Sequence, residues 1–333
     1  MAFTLFQDIR IGGFRFGSSN GIEVRKSAHA IGSVAIIKTP ISAVIENKGG
    51  RSGLVEVAKA IRPGDPVTVT IGYSTGAKEY SRTEFRGFVK NIRPKIPLEI
   101  ECEDNNYLLR KKKIKKSWKS TTLKEVLREV LDGTGIGIHN EDGLPDIKLA
   151  PFYIKDVDAA FALQKLADEY GLSIFFLPSG LLHCGLAYTY EAGKERLVLN
   201  GEGMNVIDAD SLKFRRADDV KLKIKAIAVQ GDNTRIEAEA GDGDGAVRTL
   251  YFYNISSAKE LADMARQELK KLKYDGYEGK VKCFLIPFVD PAYTVKVTDP
   301  VFPEREGEYF VESTKLTYGR GGVRREIEIG IKV

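Results

Sequence analysis

Residues 62–71 read R-P-G-D-P-V-T-V-T-I, and residues 289–297 read V-D-P-A-Y-T-V-K-V. Each is a proline-containing turn that runs into a strand with alternating apolar and polar residues. That period of two leaves one face of a strand buried. The likeness continues downstream. F-R-G-F-V-K-N-I from Phe85 and L-E-I-E-C-E from Leu98 follow the first turn, and E-Y-F-V-E-S-T-K-L from Glu308 and R-E-I-E-I-G from Arg325 follow the second. A three-part series repeated at similar spacing predicts two related β-units in one chain.

Working outward, the first hundred residues read as β. Apolar runs at 34–37, 67–71, 88–92 and 98–102 are separated by Gly49-Gly50, by residues 62–66 and by a loop at 74–78. Many short strands with regular turns indicate a small barrel or sandwich. The period then changes. Thr122-Leu-Lys-Glu125 is a capping box, followed by one apolar face of Leu123, Val126, Leu127, Val130 and Leu131 and a stop at Gly133. A second helix is expected from Asp158 to Gly171 with Leu163, Leu166, Ala167 and Tyr170 on one stripe, and then a tight hairpin. Short strands return from about 191, at 197–199, 222–229, 235–238, 281–286, 295–297, 309–316 and 326–331. A helix at about 257–273, capped by Ser257 and Glu260, interrupts them. The expected fold is mainly β with an α+β insert. Two related tube-like β-barrels, at 1–114 and 191–333, flank a small α+β domain at 115–190 made of two helices and a hairpin.

With 333 residues, 43% hydrophobic and 29% charged, the chain has the composition of a folded globular protein. Its 51 basic and 46 acidic residues nearly cancel to +5, too small an excess for a protein whose whole surface grips phosphate. No run of eighteen apolar residues is present and Met1–Arg10 lacks the pattern of a signal peptide, so neither a membrane anchor nor export is expected. The three cysteines (Cys102, Cys184, Cys283) sit apart in strand-like contexts and read as buried thiols made in a cytoplasm.

No catalytic, cofactor or metal constellation is found. The Gly133, Gly135, Gly137 series follows a helix instead of a strand and reads as a helix stop. His29, His139 and His183 lack ligand spacing. Asp242-Gly-Asp244-Gly opens like a calcium loop, but its twelfth position is Tyr253. Arg320-Gly-Gly322 reads as a turn between strands. One segment stands out: L109-R-K-K-K-I-K-K-S-W-K119 carries Arg110, Lys111, Lys112, Lys113, Lys115, Lys116 and Lys119 around Ile114 and Trp118. It fits a phosphate-binding strip with Trp118 as a stacking platform. It fits equally a connector whose lysines are solvated while Leu108, Leu109, Ile114 and Trp118 pack inward. A third reading docks the strip on an acidic protein surface.

The order of these pieces resembles a known family. Glu101-Cys-Glu-Asp104 followed by the basic residues and T121-T-L-K-E-V-L-R-E-V-L-D-G-T-G-I136 looks like a strand-to-helix passage of phage tail hub proteins. A160-F-A-L-Q-K-L-A-D-E-Y-G-L-S-I-F-F-L-P-S-G-L-L-H-C-G185 and the last strands from Glu308 to Gly330 are similar to it as well. The resemblance is to the late-control D proteins of Mu-like contractile-tail phages and to the hub portion of type VI secretion spike proteins. It implies a non-enzymatic homotrimer at the centre of a baseplate, assembled in the bacterial cytoplasm and carried in the virion. Three subunits with two barrels each would present a pseudo-sixfold ring to the tail tube, with the spike on the other side and a lumen that passes DNA or cargo. Because residue 333 directly follows the last expected strand, the spike is expected to be a separate polypeptide. Position then sharpens the basic segment into a hinge that docks acidic neighbours, with nucleic-acid binding by residues 110–119 as the alternative. Val67, Val69, Val295 and Val297, on the repeated strands, are the first candidates for subunit contacts.

Overall fold

The computed structural model describes every residue except 1–3, 48, 51, 75–78, 150, 219–220, 231–233, 254, 256 and 275. Residues 75–78 of the expected 74–78 loop therefore lie outside the described residues. The protein is mainly β with a small helical part, as its patterning requires.

In the first unit, six strands lie side by side, each antiparallel to the next: Thr4–Ile11, Pro66–Ser74, Glu79–Arg93, Leu98–Glu103, Val34–Thr39 and Gly21–Ser27. The two outermost strands send Ile9, Ile11, Ile22 and Val24 into the same core as Val69 and Ile100. A ribbon whose first and last strands share one core is rolled on itself, which is how a sheet buries a continuous apolar face without a second layer.

The second unit repeats this arrangement residue for residue. Tyr293–Thr298, Gly307–Gly319, Gly322–Lys332 and Gly276–Cys283 are neighbours in that order, followed by Val206–Asp208 and Lys213–Arg215 on one edge. Pairing registers align the two series. A bulge interrupts the pairing between Val89 and Asn91 in the first unit and between Val311 and Ser313 in the second. Taking Val89 as the counterpart of Val311 sets Cys102 against Ile329, so L98-E-I-E-C102 overlays R325-E-I-E-I329. It also sets Val67 and Val69 against Val295 and Val297. The turns agree too: the Gly64 amide donates to the Val89 carbonyl (2.8 Å) and the Ala292 amide to the Val311 carbonyl (2.9 Å). Both turn residues have a positive φ, 97° at Gly64 and 64° at Ala292, a conformation glycine adopts without strain and alanine does not. The flanking strand differs: Thr4–Ile11 is antiparallel to its neighbour, whereas Gly193–Val198 runs parallel to Tyr293–Thr298.

The two units are joined edge to edge. Residues 22–27 pair antiparallel with residues 313–318, which makes one sheet of sixteen strands among the described residues. The α+β part has its own core. Leu123–Leu131 is a helix with the full capping box: the Glu125 amide donates to Thr122 Oγ1 (3.3 Å) and the Thr122 amide to Glu125 Oε2 (3.1 Å). Its five apolar residues are buried, each worth about 1.5–3 kcal/mol relative to exposure. Ala159–Tyr170 is capped by Asp158 and ends at left-handed Gly171. The Leu172–Phe176 and Leu182–Leu186 hairpin follows.

The helix expected inside the second barrel has a larger setting. Ala258–Leu272 packs on a three-stranded sheet of Arg235–Gly241, Leu222–Val229 and Ala246–Tyr253, with a separate core around Ile224, Leu261 and Ala265. Leu222–Val229 pairs parallel with Ala246–Tyr253. The strands read at 222–238 therefore belong to an inserted α/β layer and pair with none of the barrel strands.

Candidate functional site: the joint between the strand units and the basic segment

Between Val69 and Thr70 the pairing of Pro66–Ser74 with Glu79–Arg93 slips by one residue, and Glu84 is the extra residue. A bulge of this kind re-aims a side chain. Here it turns a carboxylate inward, where Glu84 is 1% exposed. The second unit supplies its partner. Arg325, also 1% exposed, donates to Glu84 Oε1 (2.6 Å) and to the carbonyls of Leu285 (3.3 Å) and Val289 (3.1 Å). Arg82 bridges Glu84 (3.0 Å) and Asp290 (2.9 Å), and Lys26 reaches Asp290 (2.7 Å). Lys26, Arg82 and Glu84 come from the first unit, Asp290 and Arg325 from the second.

Three cations thus enclose two carboxylates, leaving one net positive charge. Burial pushes the Glu84 carboxyl up, but Arg325 and Arg82 outweigh it and hold it below the ordinary carboxylate range. Burial acts the same way on Asp290, and Lys26 and Arg82 again outweigh it. A network this well hydrogen-bonded stabilises less by its charge than by its demand for one geometry, since a displaced partner leaves a buried ion alone. The cavity beside it holds about 70 Å³ and is lined by Lys26, Glu84, Asp104, Phe175, Pro178 and Asp290, so all three parts of the chain meet there. That is well below the roughly 300 Å³ at which ligand pockets begin. In its wall the Asp104 carboxyl is pushed up to about 7 by burial, against the amides of Ser33 and Asn106 that donate to it. An open polar groove of about 580 Å³, lined by Ser27, His29, Lys213, Lys280, Glu312 and Glu328 among others, crosses the outer side of the joint.

The basic segment lies beside this joint and is not one strip. Arg110 and Lys111 end a short helix, Asn106–Lys111, that sequence patterning did not show. Lys113–Trp118 is a strand paired with Phe152–Asp158 of the α+β part. Arg110 pairs with Glu103 (2.9 Å), Lys116 with Glu129, and Lys112 donates to the Glu129 (2.6 Å) and Asp132 (2.5 Å) carbonyls at the end of the Leu123–Leu131 helix. That last contact places a cation at the negative end of the helix dipole. Lys111 lies over the Tyr107 ring at 4.3 Å and Lys116 over Trp118 at 5.4 Å. Ile114 is buried, and Leu108 and Trp118 pack against the same core. Among the described residues Lys113, Lys115 and Lys119 are exposed and form no ion pair.

The other sequence candidates resolve into structural roles. Val67, Val69, Val295 and Val297 are buried in the two cores, so they are not contact residues. Gly133 and Gly135 take left-handed conformations after a helix, and Gly322 turns the chain between its last two strands. Asp242 accepts from Lys273 (2.7 Å) and from the Leu222 amide (3.1 Å). His183 is stacked on Tyr190 at 4.2 Å and lies 6.2 Å from His139. The three cysteines are buried and free. No helix among the described residues is long and apolar enough to cross a membrane.

No protein-family model matches the sequence, and no curated protein sequence matches it. Solved structures do. A 43 kDa tail protein of prophage MuSo2 from Shewanella oneidensis superposes with a TM-score of 0.60 at 18% identity, covering 98% of both chains. A tail protein from Neisseria meningitidis superposes with a TM-score of 0.62 at 11% identity, covering 98% of this chain and 96% of that one. The chain has the fold of phage tail proteins. An Escherichia coli component of the type VI secretion system, itself structurally similar to T4 bacteriophage tail proteins, shares the tail-protein fold. It superposes with a TM-score of 0.53 at 10% identity over all of this chain and 77% of that one. Similarity in folded shape at such identities locates the architecture; site residues have to be argued from this chain's own contacts.

Proposed function

We propose that the protein is a structural baseplate hub of a phage or phage-like contractile tail, a homotrimer that joins the tail tube to the central spike. The observation that carries this reading is the duplicated strand unit fused edge to edge within one chain. Three copies of such a chain supply six similar units, which lets a threefold object match a sixfold tube. The shared fold with phage tail proteins and with a type VI secretion component supports the same role. The units are assigned as domains at 1–114 and 191–333 about the α+β domain at 115–190. A threefold ring cannot be built from isologous contacts, so opposite flanks of the chain meet. The lumen passes DNA or cargo without specific binding. We assign no catalytic role, and place the protein in the virion after assembly in the bacterial cytoplasm. Lys111, Lys113, Lys115 and Lys119 are left to dock an acidic face of a neighbouring baseplate protein. Mass by light scattering tests the reading: three times the 36.9 kDa chain, about 111 kDa, is expected. A monomer at every concentration that also binds DNA at moderate salt overturns it.

A further inference from the structure

We infer that the joint inside the chain is repeated between chains, with the 206–215 edge of one copy accepting residues 91–93 of the next. This rests on the trimeric reading and specifies its contact. Within the chain, residues 313–318 receive Gly21–Ser27 on the long strand just past the point, Phe310, where Tyr293–Thr298 stops pairing. The shared bulge sets Asn91, Ile92 and Arg93 in the places of Ser313, Thr314 and Lys315. On that strand too the neighbour, Pro66–Ser74, stops at Phe88. Among the described residues no strand covers 91–93 on that side, and the Ile92 amide donates to the side chain of Asn91 (2.9 Å) instead.

The accepting edge is found by the same alignment. Cys102 and Ile329 are counterparts, so Ala35 matches Gly279 and Val34 matches Glu278. Arg25 pairs with Val34 and Lys213 with Glu278, so Lys213 stands where Arg25 does. The 206–215 edge is thus the second unit's version of Gly21–Ser27, and among the described residues nothing pairs with its outer side.

Chemistry at the two edges agrees with this fit. In the internal joint two cations, Arg25 and Lys315, face each other, and Glu23 forms ion pairs with both. In the repeated joint Lys213 faces Arg93, and Asp210 stands near the place of Glu23. Asp210 has no ion pair among the described residues and is exposed. Exposed apolar side chains also flank both edges: Ile96 is 88% exposed on one side, Phe214 43% and Ile207 38% on the other. An open strand edge with apolar neighbours is a pairing surface, and here its complement is another copy of the same chain.

The test is a double-cysteine variant, Arg93→Cys with Lys213→Cys. Facing residues of an antiparallel pair have Cα atoms about 4.5–5.5 Å apart, within reach of a disulfide. Mild oxidation of concentrated protein is expected to give linked dimers and trimers on a non-reducing gel. Either single variant gives none, since the native cysteines are buried. As a second arm, Asp210→Lys is expected to raise the concentration for half-assembly at least tenfold, and adding Arg93→Glu to restore it. A protein of trimer mass that neither cross-links nor responds to the charge changes overturns this contact and leaves the hub reading standing. A strict monomer overturns both.

Discussion

Replacing Arg325 by methionine tests the joint at its most buried point. The guanidinium has 1% of its surface exposed and donates to Glu84 and to two carbonyls. Methionine fills similar space and donates nothing. Glu84 would keep only Arg82, at 3.0 and 3.2 Å, and the Leu285 and Val289 carbonyls would lose this donor. Removing one partner of a buried pair costs about 3–5 kcal/mol, and an orphaned carbonyl about 1–3 kcal/mol. These share one site and do not add, so about 4 kcal/mol is expected at pH 7. Glu84→Leu in the same chain removes the stranded carboxylate and should recover at least half. The first unit supports this expectation, because it carries buried Leu98 where the second carries Arg325. Urea unfolding followed by far-ultraviolet dichroism measures both differences. The pH dependence has a definite sign. Glu84 and Asp290 are held below their unfolded values, so their contribution is present above about pH 4.5 and is lost as pH falls through the folded values. Wild type and variant should therefore converge in acid. A cost under about 1 kcal/mol, or a double variant worse than the single, refutes the assignment of the network as the element that fixes the joint.

Two further outcomes are expected. Reversing Lys111, Lys113 and Lys115 to glutamate should weaken particle assembly and leave the unfolding midpoint within about 0.5 kcal/mol of wild type, because none of the three forms an ion pair among the described residues; a change confined to DNA binding would favour the nucleic-acid reading. His183 should make the fold acid-sensitive. Burial, and secondarily His139, lower it to about 4, so the unfolded chain takes up the proton first and stability falls as pH drops from about 6.5 toward 4. Partial solvent access reduces the effect to about 2 kcal/mol, and His183→Phe should remove it in unfolding measured at pH 7 and pH 4.

What the sequence showed and what it hid divide along physical lines. The repeat was legible because period-two alternation and turn chemistry are local, and the structure aligns V67-T-V69 with V295-K-V297 through a shared bulge. The capped helices were legible for the same reason. Thr4–Ile11 and Gly21–Ser27 were missed, since neither is framed by strong turn signals on both sides, and so was Asn106–Lys111, too short to show a helical period. Leu222–Val229 was seen as a strand and given to the barrel, because alternation reports that a face is buried and not against which partner. The joint was invisible for a related reason. Glu84 and Arg325 look like surface charges in their strands, and only a bulge and a pairing across units make them a buried couple. The basic run misled in the opposite direction: its contiguity suggested one surface, while a helix end and a strand send its members to different partners.

The edge pairing also sets when the chain can finish folding. Ser27 Oγ donates to the Glu312 carbonyl across 285 residues, and Gly193–Val198 waits for a partner at 293–298. On the ribosome the first unit can close as soon as residue 103 emerges, while its Gly21–Ser27 edge stays open until almost the whole chain is made. An open edge held that long is the likeliest site of premature association, with another nascent copy able to supply the missing strand. The same surface that completes the molecule is then its main hazard during synthesis, and slowing translation after residue 280 should increase aggregation more than slowing it before residue 100.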